Sequence, residues 1–251
     1  MHPVLFRIGS LEIRTYGVIL IIAFLAGIWW VSRKLKPYGV SSDDVWNLTI
    51  TVVIAGIVGA RIAFVIQHWP YFSRNIGEAF AVWHGGLTYY GGFLGALPAG
   101  IAYACYKRFP LRPTLDAVAQ ALALGIFIGR WACFFNGCCY GHPTGVPWCI
   151  VYPPEHETYP ACVHPSPLYE SFGNLIAFGI LLILERKKPW PGFIFAAYLF
   201  MQPLVRFLVD FTRWYEPSAF VGPLTFNQWI ALGLMATGVG LMALWRPRSS
   251  G

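Results

Sequence analysis

The sequence predicts an all-α, polytopic integral membrane protein with seven transmembrane helices. Three observations carry that expectation. First, 57% of the 251 residues are hydrophobic and only 12% are charged, against about 25% charged in soluble domains. Second, seven apolar runs, at 16–33, 45–67, 86–106, 114–135, 166–185, 191–210 and 225–245, each approach the ~20 residues a helix needs to cross hydrocarbon. Third, the basic residues gather at alternate ends of those runs, as a topology signal does, instead of covering one face as a nucleic-acid footprint does. The net charge of +7 therefore predicts no nucleic-acid binding.

Before the first run, Val4, Phe6 and Ile8, then Leu11 and Ile13, alternate around Gly9-Ser10. This predicts a small hairpin or interfacial arm. Residues 1–15 have no lysine- or arginine-led region, and the first run meets no A-x-A-like site, so no cleavable leader is expected. The gaps near 107–113 and 186–190 allow only tight turns between antiparallel neighbours. The longest connection, about 136–165, has several prolines and holds Cys138, Cys139, Cys149 and Cys162, which predicts an ordered functional loop. With no fixed-period repeat, residues 1–251 read as one membrane-embedded domain.

Lysine and arginine counts set the orientation. One set of ends holds Arg33, Lys34, Lys36, Lys107, Arg108, Arg112, Arg186, Lys187, Lys188, Arg246 and Arg248; the other holds Arg7, Arg14, Arg74 and Arg213. Eleven against four puts the N-terminus outside and the C-terminus in the cytoplasm. Arg61, Arg130 and Arg206 then fall in the outer portions of their spans. Tyr16, Tyr89-Tyr90, Tyr169-Glu170 and Asn227-Gln228 start the outward-facing ends of others. Polar groups at one common depth predict a cavity toward the outer leaflet.

An arginine inside a span costs roughly 2.5–3.5 kcal/mol on insertion scales, so each of the three asks for a partner. Guanidinium stays charged in low dielectric and bonds phosphate in bidentate fashion, so a phospholipid head group is a natural ligand. The plainer alternative is ion pairing, Arg61 with Glu170 and Arg206 with Asp210. Arg130 has no acid near it in sequence, which favours a ligand role. Arg206, Asp210 and Arg213 would share one helix face.

Tyr89-Tyr90, bracketed by Gly85-Gly86 and Gly91-Gly92, offers phenols beside close-packing glycines; a helix-packing role for the glycines is the alternative. Cysteines on the outer side read as disulfides, with at least one thiol left over. The spacing of Cys133, Cys138, Cys139 and His142 fits no usual zinc motif, so no metal is expected. His164 heads a helix that Ser166 could cap, and it could orient a ligand or take a proton.

Together, Gly129-Arg130…Asn136-Gly137…Gly141, the His164-Pro165-Ser166-x-Leu168-Tyr169-Glu170 block and Arg206-x3-Asp210-x2-Arg213 resemble bacterial prolipoprotein diacylglyceryl transferases. Ile13-Arg14-x-Tyr16-Gly17, Gly59-Ala60-Arg61, the third-helix glycines, Asp116 and Gln228 extend the resemblance along most of the chain. It implies an enzyme of the bacterial inner membrane with its active site toward the outer leaflet or periplasm. The reaction would move the diacylglyceryl group of phosphatidylglycerol to the lipobox cysteine of a prolipoprotein signal peptide, releasing glycerol 1-phosphate, without cofactor or metal. Its other contacts would be membrane lipids. By the same resemblance, Arg130 binds phosphatidylglycerol and Arg206 stabilises the leaving phosphate. Tyr16, Asn136 and Gly141 line the site, with Arg61, Tyr169, Glu170, Asp210, Arg213 and Gln228 completing the binding set.

Two departures stand out. Tyr90 replaces a family histidine proposed as a base, and a phenol with a pKa of about 10 is a poor base at neutral pH. The family pattern Gly-Arg-x-Gly-Asn-Phe-x-Asn-Gly-Glu here carries Cys133 for the first asparagine and Cys138 for the glutamate. The proton would then go to His164 or water, or an arginine-lowered thiol pKa would make a base unnecessary. A relative with another acceptor, a non-enzymatic phospholipid binder or transporter, and more remotely a cysteine redox protein are the alternatives. A transporter would place polar groups through the inner half of the bundle, which is bland here.

Overall fold

The computed structural model describes residues 4–8, 11–81, 85–187 and 189–247. The Gly9-Ser10 turn, Lys188, Arg248, and the side chains of Arg7, Tyr89 and Tyr90 lie outside the described residues.

Most of the chain is helical. Helices α1 (Thr15–Leu35), α2 (Ser42–Gln67), the short α3 (Trp69–Phe72), α4 (Tyr89–Tyr106), α5 (Leu111–Asn136), α6 (Ser166–Arg186), α7 (Phe193–Asp210) and α8 (Phe226–Trp245) follow one another. The long ones lie within three residues of the apolar runs at every end. Six of them, all but α4 and the single-turn α3, are long and apolar enough to cross a membrane. Ile21, Phe24, Ile50, Ile54 and Ile183 are each about half exposed on their helices. Helices apolar on nearly every face suit a lipid solvent, not water. The chain is not wholly α, however. Three two-stranded ribbons pair β1 (Val4–Ile8) with β2 (Leu11–Arg14), β3 (Ile150–Val151) with β4 (Cys162–Val163), and β5 (Phe220–Val221) with β6 (Leu224–Thr225), all antiparallel.

Two compact units emerge, Ser32–Thr114 and the combination of Met1–Val31 with Leu115–Gly251. In the smaller unit, glycine brings α2 and α4 into backbone contact. A Cβ at Gly59 would lie 2.9 Å from the Gly95 Cα, and one at Gly91 3.1 Å from the Ala60 Cα. This is the small-residue packing used between helices in lipid, where apolar side chains gain nothing over tails. The glycines after Tyr90 thus serve helix packing.

In the larger unit, α5, α6 and α7 share a core of Ala119, Ala123, Leu181, Ile194, Ala197 and Tyr198. Asp116 of α5 accepts hydrogen bonds from the amides of Gly192 (2.7 Å) and Phe195 (2.8 Å), capping α7 with a carboxylate from another helix. Gln120, 1% exposed, accepts from Trp30 Nε1 at 3.0 Å and donates to Glu185 at 3.1 Å. The Asp116 carboxylate and the Gln120 amide are thereby bonded, as low dielectric demands. Helix α8 opens with a capping box: Gln228 N donates to Thr225 Oγ1 (3.1 Å) and Thr225 N to Gln228 Oε1 (2.9 Å).

The 137–165 connection is ordered by its own contacts. Cys149 and Cys162 form a disulfide. The His156 ring stacks on Tyr152 and bonds the Gly137 carbonyl at 2.7 Å. Tyr140 donates to Glu157. Burial, helped by the Glu157 bond, pushes the Tyr140 phenol up to about 12, and burial does the same to Tyr152, also to about 12. Ser166 does not cap α6. It occupies the first helical position behind Pro165, and its hydroxyl meets the Thr212 hydroxyl at 3.0 Å.

Candidate active site

Helices α5, α6 and α7 contribute charged residues to one row whose carboxylates are buried and whose guanidiniums are partly so. Glu170, 2% exposed, is its centre. Its Oε1 accepts from Arg130 at 2.6 Å and its Oε2 from Arg206 at 2.9 Å. Arg206 continues the row through Nε to Asp210 Oδ1 at 3.0 Å, one turn on. Asp210, 3% exposed, also accepts from the hydroxyls of Tyr215 (2.8 Å) and Thr225 (3.2 Å). The Tyr215 hydroxyl in turn accepts from Arg206 (2.7 Å) and Asn227 (3.3 Å). Burial pushes the Tyr215 phenol above its usual range. Two guanidiniums and two carboxylates balance, which is how charges survive in low dielectric.

The two arginines differ in what they have left to give. Arg206 uses all three of its nitrogens, on Asp210, Glu170 and Tyr215. Arg130 gives one nitrogen to Glu170, and among the described residues its other terminal nitrogen is bonded only to the soft Cys133 sulfur at 4.0 Å. Although sequence offers Arg130 no nearby acid, the fold brings it Glu170 from α6, so it is an ion-paired residue with spare donors.

Other expected positions fall as follows. Tyr16 is exposed at the start of α1, within electrostatic range of Arg130 and of Cys133, Cys138 and Cys139. Asn136 ends α5, exposed. His164 Nδ1 stands 3.1 Å from the Tyr169 hydroxyl, which accepts from Trp148 Nε1 at 2.7 Å. Gly141 lies against the Thr212 carbonyl and the His164 and Ser166 side chains, where any Cβ would overlap them. It also forms a bridge with Arg213.

Two expectations need correction. Arg61, 6% exposed, does not take Glu170, whose oxygens serve Arg130 and Arg206. It donates instead to the carbonyls of Ala79 (2.9 Å), Gly85 (2.6 Å), Gly86 (3.1 Å) and Glu78, tying the loop before α4 to α2. Arg213 is not on the Arg206–Asp210 face, because α7 ends at Asp210. There Thr212 and Trp214 exchange backbone bonds with His142 and Tyr140 instead of continuing the helix. The Arg213 guanidinium lies over the Tyr215 ring at 5.5 Å, its Nε buried without a hydrogen-bond partner among the described residues. Gln228 spends its amide on the α8 cap and on the Phe207 carbonyl at 3.3 Å, and so has a structural task.

Sequence reasoning missed Tyr215, Trp148 and the grouping of three thiols. Helix α5 ends with Gly137 at φ +75°, Gly137 N bonding Phe134 O (3.2 Å) and Cys138 N bonding Cys133 O (3.1 Å). This is a Schellman cap, which folds the second residue past the helix back over its last turn. Cys138 thereby returns to Cys133, and Cys139, at φ +64°, joins them. The Sγ atoms of Cys133, Cys138 and Cys139 all lie within 4.8 Å of one another. The Cys139 thiol is held below its usual range by hydrogen bonds from Cys133 and Cys138, with Arg213 and Arg130 adding positive charge. A glycine four residues after Cys133 and just before Cys138 was the signal for this grouping.

The fold and site define a multi-pass membrane protein with a charge-balanced guanidinium–carboxylate row among its helices. The chain belongs to the prolipoprotein diacylglyceryl transferase family, whose sequence pattern matches residues 3–244. It is similar to the phosphatidylglycerol–prolipoprotein diacylglyceryl transferase of Acaryochloris marina, 36% identical over 249 residues, covering 96% of this chain and 89% of the relative. The enzyme of that name from Symbiobacterium thermophilum is 37% identical over 261 aligned positions, covering 100% and 96%. That from Geobacter sulfurreducens is 33% identical over 259, covering 100% and 98%.

Proposed function

We propose that this chain transfers the diacylglyceryl group of phosphatidylglycerol to the lipobox cysteine thiol of prolipoproteins, releasing glycerol 1-phosphate. The observation that carries this is the Arg130–Glu170–Arg206–Asp210 row, its carboxylates buried, within a bundle of apolar helices. Arg130, with donors to spare, binds the phosphodiester. Arg206, fixed on three sides, stabilises the charge that grows on the phosphate as it leaves. The acceptor brings its own nucleophile, and its proton passes to water or to His164; Tyr16 completes the site. An unchanged kinetic pH profile in His164→Gln would remove His164 from that role.

On this reading α4, 18 residues long and so about 27 Å in length, is a seventh span. The basic-residue bias then puts the N-terminus outside, the C-terminus in the cytoplasm, and the row with the cysteine-bearing loop toward the outer leaflet of the inner membrane. Both units serve one transferase domain. The test is purified protein with phosphatidylglycerol micelles and a lipobox peptide, wild type beside Arg130→Ala. The expected result is peptide mass gain by one diacylglyceryl group and equimolar glycerol phosphate release, from wild type only. Phosphatidylglycerol binding by folded wild type without product would favour a binder or another acceptor.

A further inference from the structure

The geometry points to a metal site at the end of α5, in which Cys133, Cys138 and Cys139 bind one thiophilic divalent cation of the zinc class and leave a fourth position for the acceptor thiolate. Their sulfurs, within 4.8 Å of one another, need to close only to the roughly 3.8 Å that Zn–S bonds of 2.3 Å at tetrahedral angles require. All three are free thiols, unlike the bonded Cys149 and Cys162. Three mutually adjacent thiols cannot all pair as disulfides, whereas a catalytic metal takes three protein ligands and one exchangeable position. Two of the three are set by the helix cap itself, and the third sits in a left-handed backbone conformation that a cysteine adopts only when the surroundings hold it there.

Charge supports the same site. A divalent cation with three thiolates carries −1, and Arg130 and Arg213 both stand within electrostatic range of Cys139. Arg130 reaches toward Cys133 from one turn before it, so the metal would sit beside the group proposed to hold the lipid phosphate. This role for the fourth position rests on the transferase reading. The acceptor thiol loses its proton on coordination, to water or His164. Its metal-bound sulfur attacks the diacylglyceryl carbon joined to the phosphate ester oxygen. The C–S bond forms, the C–O bond breaks, and the electron pair leaves on the glycerol 1-phosphate oxygen. No oxidation state changes, and the neutral thioether, a poorer ligand than a thiolate, dissociates. The metal thus supplies the thiol activation that Tyr90 is ill suited to provide.

The test uses full-length protein in detergent, reduced and then freed of reductant without air, titrated with cobalt(II) as the spectroscopic stand-in. The expected result is one cobalt per chain with a sulfur-to-cobalt charge-transfer band. Cys133→Ser and Cys138→Ser should each weaken binding by more than the roughly 10–100-fold that losing an outer-shell partner costs, while Cys105→Ser leaves it intact. A lipobox peptide should shift the spectrum, and its serine counterpart should not. If folded wild type takes up no cobalt, or if Cys138→Ser binds as well as wild type, the site is overturned. Cobalt that ignores the thiol peptide overturns the acceptor role. The two readings fail separately. Cobalt binding with a peptide response but no transfer product would sink the transferase and keep the site. Product from chelator-treated protein that binds no cobalt would do the reverse.

Discussion

Replacing Glu170 by glutamine tests the row at its centre. The carboxylate is 2% exposed and bonds one guanidinium through each oxygen, at 2.6 and 2.9 Å. Hydrogen bonds to charged groups contribute about 1.5–3 kcal/mol each. Glutamine keeps one acceptor but turns an N–H₂ toward the other guanidinium, and it leaves Arg130 without the one carboxylate it bonds. Arg206 retains Asp210. Breaking a buried pair by removing one partner costs about 3–5 kcal/mol, and the two bonds summed fall in the same range, so Glu170→Gln should destabilise by about that much. The assay is denaturant unfolding in detergent, followed by tryptophan fluorescence, for Glu170→Gln, Arg130→Gln and the double variant. In the double variant no uncompensated guanidinium remains on α5, so its loss should fall short of the summed single losses by about 1–3 kcal/mol. A Glu170→Gln loss below about 1 kcal/mol together with additive single effects would refute the row as a coupled unit.

Three further outcomes follow from the same geometry. Tyr215→Phe removes the hydroxyl that fixes Arg206 against Asp210; losing one charged hydrogen bond of about 1.5–3 kcal/mol should lower kcat about 10–100-fold with KM for phosphatidylglycerol little changed, read from steady-state transfer to a lipobox peptide. Joint replacement of Cys149 and Cys162 by serine opens a loop of sequence separation 13, which should cost about 3 kcal/mol in unfolding measured without reductant; wild type with dithiothreitol should match the variant. Burial raises the Tyr152 phenol from 10.0 to about 12. Its folded pKa lies above its unfolded one, so its contribution is intact below pH 10 and is lost as pH rises toward 12. Stability measured across that window should fall less steeply in Tyr152→Phe than in wild type.

The helices were legible because lipid imposes one simple demand, a long apolar run, and seven such runs anticipate the helix ends to within three residues. That Arg130, Arg206 and Glu170 share one depth was also legible, and Asp210 followed from its place one turn after Arg206. Their pairing was not. Arg130 and Glu170 are 40 residues apart, and helix rotation, which apolar patterning fixes poorly when every face is apolar, decides which acid meets which base. Arg213 illustrates a different failure. No glycine or proline marks the end of α7, and the helix stops because Thr212 and Trp214 find backbone partners in the distant His142 and Tyr140. The thiol cluster failed to look like a metal motif because those spacings describe strands and loops, whereas here a helix cap brings Cys138 back onto Cys133.

The charges of the site also say how it could discriminate a phosphodiester from a departing phosphate. Arg130 and Arg206 are matched by Glu170 and Asp210, so the row alone is neutral and offers an anion no net attraction. Arg213 breaks the balance. It has no carboxylate partner among its contacts, its Nε is buried and unbonded among the described residues, and it stacks on the Tyr215 ring that also anchors Arg206. With the three neighbouring thiols protonated and no metal bound, Arg213 brings the site to net +1, which would match the single charge of phosphatidylglycerol. On the proposed reaction the leaving glycerol 1-phosphate then gains a second negative charge, which the fixed donors of Arg206 are placed to favour over the substrate. Preorganised donors of this kind act on the transition state because they need no rearrangement when the charge appears. Arg130 has donors left for the proposed head group, while Arg206 is held by Asp210, Glu170 and Tyr215. On the proposed reaction, an arginine with spare donors and one held on three sides, both bonded to Glu170, would let the site bind a monoanion and stabilise a dianion as it forms.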